Sequence, residues 1–141
     1  MKIKPLEKAI KKKKDKISTW KKKCDVCFAH FIRKRDTQNW FGGHCISCWK
    51  WFSYEDGDAG HFVDRDCIPL RYDEKNVNFQ CKSCNRYGGW EQALQWIGIN
   101  KKYGKWTAEK LLDVYKESRA NIQKYPVEFY KPIYEKYKQY K

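Results

Sequence analysis

The chain has no stretch approaching the roughly 18 consecutive apolar residues that a membrane-spanning helix needs, and its mean hydropathy is −0.96. Its N-terminus is basic but lacks the apolar run of a secretory leader. These absences predict a cytoplasmic protein with no membrane contact. Negative charge is also scarce, at 17 acidic residues against 31 Lys and Arg, which leaves a net charge of +14. A basic excess of that size points to a polyanionic partner, of which nucleic acid is the commonest. The apolar material is mostly aromatic, since Phe, Trp and Tyr make up 17% of the 141 residues. That length suits one domain, or one domain with an arm, and is enough to bury a core.

The charge is unevenly spread. Residues 1–35 carry 14 basic and 3 acidic side chains, so +11 of the +14 lies there. Lys11, Lys12, Lys13, Lys14, Lys21, Lys22 and Lys23, followed by Arg33 and Arg35, are the candidate phosphate contacts. A solubilising Lys run explains the arm equally well. Between 36 and 66 the sign inverts, with Lys50 and Arg65 set against Asp36, Glu55, Asp56, Asp58, Asp64 and Asp66. A basic arm beside an acidic pocket suits an enzyme that grips phosphates in one place and holds a cation in another.

Six of the 7 cysteines fall in Cys-x-x-Cys pairs: Cys24/Cys27, Cys45/Cys48 and Cys81/Cys84. Without a secretory context they read as metal thiolates rather than disulfides. A two-residue gap lets both sulfurs of a knuckle face one ion, and two knuckles complete a tetrahedral zinc site. Cys45, Cys48, Cys81 and Cys84 are the predicted zinc ligands, because turn-like and strand-like sequence lies between them. Cys24 and Cys27 are either thiols packed at the start of a helix or ligands of a second zinc with two of His30, His44 and Cys67.

Hydrophobic spacing predicts helices over 5–17 and 24–36, the second a short basic amphipathic one carrying Phe28, Phe31 and Ile32. Asn39 to Gly43 reads as a turn into the first knuckle, and residues 49–80 as a hairpin with a long connection. Val77 and Phe79 alternate with Asn76, Asn78 and Gln80, so a short strand runs into Cys81. Trp90, Ala93, Leu94 and Ile97 form the apolar face of a helix over 90–99. Thr107 caps another that runs along Leu111, Val114, Tyr115, Ser118 and Ile122 until Pro126. In the tail, Tyr125, Tyr130, Tyr134, Tyr137 and Tyr140 interleave with Lys residues. Base stacking and burial of one helical face account for them equally well.

Between the knuckles the sequence reads Gly60-His61-Phe62, then Leu70-Arg71-Tyr72-Asp73-Glu74-Lys75-Asn76, then Gln80-Cys81-Lys82-Ser83-Cys84-Asn85. In these phrases the chain resembles the HNH nucleases, and more closely the NinG (Rap) recombination proteins of lambdoid phages and their prophage relatives. The likeness covers roughly residues 24–117. It implies an α+β fold with a zinc-stapled ββα-metal (HNH-like) core and flanking helices. The expected division of the chain is a basic arm over 1–23, the core over 24–100 and a helical tail over 101–141. It also implies a metal-dependent endonuclease acting on branched recombination intermediates such as Holliday junctions and displacement loops, in the host cytoplasm if phage-encoded. By motif order Asn85 is a ligand of the catalytic ion. HNH sites often place a His or Asp just before the catalytic His, but Gly60 stands there, so Asp58, Asp64 or Asp66 must substitute, with Asp58 preferred. NinG relatives often have His where this chain has Asn78, which would be a weaker, neutral ligand.

The chemistry is consistent with that resemblance. Phosphodiester hydrolysis needs a water activated near neutral pH, a task suited to the imidazole of His61. Asn76 can orient that base without adding charge. A Mg²⁺ or Mn²⁺ ion would stabilise charge on the scissile phosphate and leaving oxygen. Arg71 joins the basic residues as a DNA contact. DNA that is branched or contains single strands is the expected partner, and symmetric junction cleavage would favour a homodimer. The rival reading is a zinc-ribbon module that binds DNA without cutting it.

Overall fold

A computed structural model describes the backbone of residues 5–86 and 91–141, and the side chains among them from residue 16 onward. It is mixed α+β, as expected. Its two compact units comprise residues 1–28 with 124–141, and residues 29–123.

Residues Pro5–Asp36 form a single 32-residue helix, α1, where the spacing suggested two. After Pro5, a natural first-turn residue, no Gly or Pro interrupts the run, and Lys is a good helix former. The second Lys cluster therefore propagates the helix. Cys24 and Cys27 consequently lie inside α1 rather than at a helix start.

In the first unit α1 packs on α6 (Val127–Tyr137). Trp20 meets Tyr134 edge-on at 5.6 Å between ring centroids, and Phe28 meets Tyr137 at 5.0 Å. Tyr130 and Tyr137 are buried. The α6 rings at these positions are core, so burial decides the tail's aromatic pattern there. Cys24 and Cys27 are both fully buried. The Cys24 thiol donates to the Tyr130 carbonyl at 3.3 Å, and the Cys27 thiol to the Cys24 carbonyl at 3.4 Å. Burial is the first cause that pushes the Cys27 thiol above its usual range. Both behave as packed structural thiols.

The second unit begins with two antiparallel ribbons. Strand β1 (Gly42–His44) pairs with β2 (Trp51–Ser53), with His44 opposite Trp51. Strand β3 (Gly57–His61) pairs with β4 (Val77–Cys81), with Asp58 opposite Gln80 and His61 opposite Val77. The long β3–β4 connection carries the short helix α2 (Ile68–Arg71), and α3 (Lys82–Arg86) follows β4 directly. The core gathers Ile46, Phe62, Val63, Leu70, Ile99 and Leu111.

Helices α4 (Glu91–Tyr103) and α5 (Thr107–Ala120) close this core. On α4 the buried residues are Gln95, Gly98 and Ile99, while Leu94 and Ile97 are exposed. The predicted face is therefore turned outward; Trp90 lies outside the described residues. Close approach explains the reversal. A Cβ on Gly98 would stand 1.9 Å from the Ile46 carbonyl oxygen, so only glycine lets α4 lie against the first knuckle. Thr107 is the first residue of α5 rather than its cap, and its hydroxyl donates to the Gly104 carbonyl at 2.8 Å. The helix ends at Ala120, which leaves Ile122 91% exposed instead of on a buried face.

Candidate metal centre and hydrolytic site

The β1–β2 connection and the β4–α3 junction each make a tight turn bearing two cysteines. In the first, the Trp49 N–H donates to the Cys45 carbonyl at 3.0 Å, and the Cys45 N–H to the Lys50 carbonyl at 2.9 Å. The Ser47 N–H points at the Cys45 sulfur, 3.4 Å away. In the second, the Cys84 N–H points at the Cys81 sulfur, 3.5 Å away. The Ile46 N–H donates to the Phe79 carbonyl at 2.9 Å and locks the two turns together. As a result the sulfurs of Cys45, Cys48, Cys81 and Cys84 all lie within 4.8 Å of one another. A tetrahedral zinc with bonds of about 2.3 Å needs edges of roughly 3.8 Å, so a small contraction seats the ion. The predicted quartet is thus assembled and can hold a metal ion such as zinc. Among the described residues no other metal-binding group gathers, and Cys67 is buried in the core instead.

The thiols differ electrostatically. Burial works to push Cys45 up, but main-chain N–H groups outweigh it and hold this thiol below the usual range. Burial pushes Cys81 and Cys84 up, and the sulfur of Cys45 adds to the effect. A divalent cation at the centre would supply the charge that lets all four ionise.

Strand alternation sorts the hydrolytic candidates onto two faces of β3. Asp58 and Gly60 share one face with Asn78 and Gln80, while His61 shares the other with Val77. The side chain of Asn85, on α3, reaches Asp58, with its Nδ2 3.2 Å from the carboxylate Oδ2. Arg86 Nε lies 3.9 Å from the same oxygen. Of the three acidic candidates, Asp58 is the one beside Asn85; Asp64 instead accepts the Asp66 N–H in an exposed turn, at 2.9 Å. His61 is three residues from Asp58, about 10 Å along an extended strand.

His61 is half-buried and holds the Arg71 carbonyl through Nε2 at 3.0 Å. A carbonyl only accepts, so in the neutral ring Nε2 carries the proton and Nδ1 keeps the lone pair. Asn76 is fully buried. Its Oδ1 accepts the Val63 N–H at 2.8 Å, and its Nδ2 donates to the carbonyls of Val63 and Leu70, each at 3.0 Å. Rather than gripping the imidazole, it pins the connection whose next carbonyl, Arg71, does so.

Gly60 has a local steric reason. A Cβ there would lie 2.1 Å from Gln80 Oε1, and Gln80 is itself held by donating to Ser47 Oγ at 2.8 Å. Asn78 lies elsewhere than at a cation site. Its buried Oδ1 accepts from Tyr103 Oη at 2.8 Å, Lys102 Nζ at 2.9 Å and Arg35 at 3.2 Å. Three donors make that oxygen a poor cation ligand. This cluster went unseen in the sequence, because Arg35, Asp36, Asn78, Lys102 and Tyr103 share no spacing.

Three predicted DNA contacts are tied into the fold instead. Arg35 forks onto Asp36 at 2.7 and 2.8 Å and donates to the Glu74 carbonyl at 2.6 Å. Arg33 donates to the Tyr54 carbonyl at 2.6 Å and lies 3.7 Å over that ring. Arg71 is buried and donates to the Arg65 carbonyl at 2.8 Å. Arginine's fork satisfies several carbonyls at once, which suits it to these internal tasks. Lys22 and Lys23 are exposed, Lys21 half-buried, and Lys23 sits 4.9 Å over the Trp20 ring. The side chains of Lys11, Lys12, Lys13 and Lys14 lie outside the described residues.

Fold and site together define a small mixed α+β protein built around a tetrathiolate cluster that can hold a metal. The chain matches the family described as Bacteriophage Lambda NinG protein over residues 2–140, and it belongs to that family. It is 30% identical to "Protein ninG" of Escherichia phage 933W over 123 residues, covering 86% of this chain and 56% of that protein. It is 38% identical to "Protein ninG" of Salmonella phage P22 over 71 residues, covering 50% of this chain and 32% of the relative. The chain thus spans about half the length of the relative from phage 933W. No solved structure matches it. Among the described residues, no helix is long and apolar enough to cross a membrane.

Proposed function

We propose that the chain is a metal-dependent endonuclease of HNH type that cleaves branched DNA in phage recombination. The observation that carries this reading is His61 at the end of β3. Its Nε2 is held by the Arg71 carbonyl, so the lone pair sits on Nδ1. Supporting it is the order of β3, connection, β4, cysteine knuckle and α3, with Asp58 and Asn85 side by side. Both offer oxygen, the donor preferred by Mg²⁺ and Mn²⁺. When bound there, such an ion would stabilise charge developing on the scissile phosphate. His61 Nδ1 takes a proton from the attacking water, the water oxygen bonds to phosphorus, and the bond to the leaving sugar oxygen breaks. Asn76 holds the loop that orients His61. The four-cysteine cluster, with zinc bound, would fix Asn85, which directly follows Cys84 in α3.

One observation favours the second reading, a DNA-binding module without cleavage. Asp58 stands on the opposite face of β3 from His61, about 10 Å along the strand, while Gln80 fills the place that a ligand nearer to His61, at position 60, would take. Incubating the purified chain with a labelled four-way junction and a matched duplex, with and without Mg²⁺ or Mn²⁺, separates the two. Metal-dependent nicking of the junction is the expected result. Junction binding with no cut under any divalent ion establishes the module.

A further inference from the structure

The knuckle turn carries an expense that its own packing does not explain. Trp49 follows Cys48 directly and has φ of 61°, a left-handed conformation in which glycine is cheapest and bulky residues are rare. Its backbone is dictated by the turn, through the Trp49 N–H bond to the Cys45 carbonyl. Its indole nevertheless remains 44% exposed, and that of Trp51 54% exposed. Large rings in water at a strained position add little to the stability of the fold.

Both rings line a groove of about 490 Å³ with His44, Arg35, Lys101 and Lys102. Asp36 is the carboxylate of this groove, and it is already engaged by Arg35 and by Lys102 at 2.7 Å. Lys101 Nζ stands 5.2 Å over the Trp49 ring, which sets positive charge beside a stacking surface. A strand of unpaired nucleotides offers a flat base for each ring and a phosphate for the ammonium group. Paired bases are enclosed by their neighbours and cannot reach the rings.

We infer that this groove is a stacking subsite for unpaired DNA bases, with Trp49 and Trp51 supplying ring faces and Lys101 a phosphate contact. The inference rests on the proposed function only in taking DNA as the ligand. The subsite would select the single-stranded part of a branched substrate, apart from His61 and Asp58.

The test is fluorescence anisotropy with the full chain, zinc present and no Mg²⁺ or Mn²⁺ added. The probes are a labelled oligothymidine and a blunt duplex of the same length. Trp49→Gly is expected to weaken oligothymidine binding roughly tenfold, since each stacked base depends on its ring. Duplex affinity should stay within about twofold, and zinc content should be unchanged. Trp51→Ser, on a strand and not in the knuckle, should show the same selective loss, and decides the matter alone if Trp49→Gly sheds zinc. Lys101→Gln should reduce the salt slope by about one phosphate contact. Oligothymidine affinity that is no higher than duplex affinity in the wild type overturns the inference, as does equal loss on both probes. Unchanged oligothymidine binding by the variants overturns it too, and the rings then face a protein. A wild type that stacks oligothymidine but cuts nothing sinks the nuclease reading alone. One that cuts junctions while its variants bind unpaired DNA normally sinks this inference alone.

Discussion

His61 and Asn76 divide two adjacent carbonyls between them: the imidazole holds that of Arg71 at 3.0 Å, and the amide holds that of Leu70 at 3.0 Å. One connection is thereby fixed from both sides, and the two residues should fail differently when replaced. His61→Ala should lower junction cleavage by about 10²- to 10⁴-fold while folding and DNA affinity persist, because a general base contributes little to ground-state binding. Asn76→Ala strands the Val63 N–H and two carbonyls in the interior, and should cost about 2–4 kcal/mol of stability. Chemical denaturation beside single-turnover cleavage reads both effects. An Asn76→Ala protein that is fully stable but slow would place that amide on the base itself.

The cysteine quartet should make folding depend on metal. Serine at Cys45 or Cys84 is expected to lose the ion and the tertiary fold of residues 29–123 together, because binding free energy at a small site is largely folding free energy. Elemental analysis with circular dichroism checks this. Soluble, folded, reduced wild type containing no zinc would refute the assignment.

The carboxylate of Asp36 is buried beneath half-buried Arg35 and the more exposed Lys102, and its replacement by Asn should destabilise the protein by about 1–2 kcal/mol by removing the charge that both cations share. Burial alone would raise its carboxyl, but the Arg35 fork and Lys102 hold it below the usual carboxylate range. A depressed folded value means that the stabilisation is complete above the unfolded carboxyl's range. It disappears as pH falls through the lower folded value. Denaturation midpoints measured from about pH 6 down to about pH 2 should fall more shallowly in Asp36→Asn than in wild type.

Gly98→Ala tests the close approach of α4 to the knuckle. Alanine favours a helix interior by about 1 kcal/mol. Even so, the added carbon would meet the Ile46 carbonyl at 1.9 Å, and a main-chain atom cannot swing aside. Net destabilisation of about 1–3 kcal/mol is expected, with weaker zinc retention in a chelator competition. A variant more stable than wild type would show that the two elements lie further apart.

Deleting residues 1–16 removes eight Lys and two acidic residues, a net +6. DNA binding should weaken most at low salt, and the plot of log affinity against log salt should become shallower, because fewer counterions are released. Cleavage at saturating protein should survive. An unchanged slope would mean that the arm contacts no phosphate.

Local spacing was enough to identify the metal quartet. Two Cys-x-x-Cys turns are self-contained chemical units, and their pairing through the Ile46–Phe79 bond needed only an intervening hairpin. The strand entering Cys81 was legible for a related reason, since alternation is a property of neighbours. The sequence by itself also determined the mixed class and the phrases that carry the family. Tertiary structure alone decided which face of α4 is buried, because Gly98 is chosen by the carbonyl it meets and not by helical periodicity. It alone turned Arg33, Arg35 and Arg71 inward, where distant carbonyls and Asp36 accept their bonds. It also set Asp58 beside Asn85, 27 positions away. Charge and periodicity are read along the chain, whereas the partner that satisfies a buried cation or confronts a carboxylate is supplied by whatever the fold brings across.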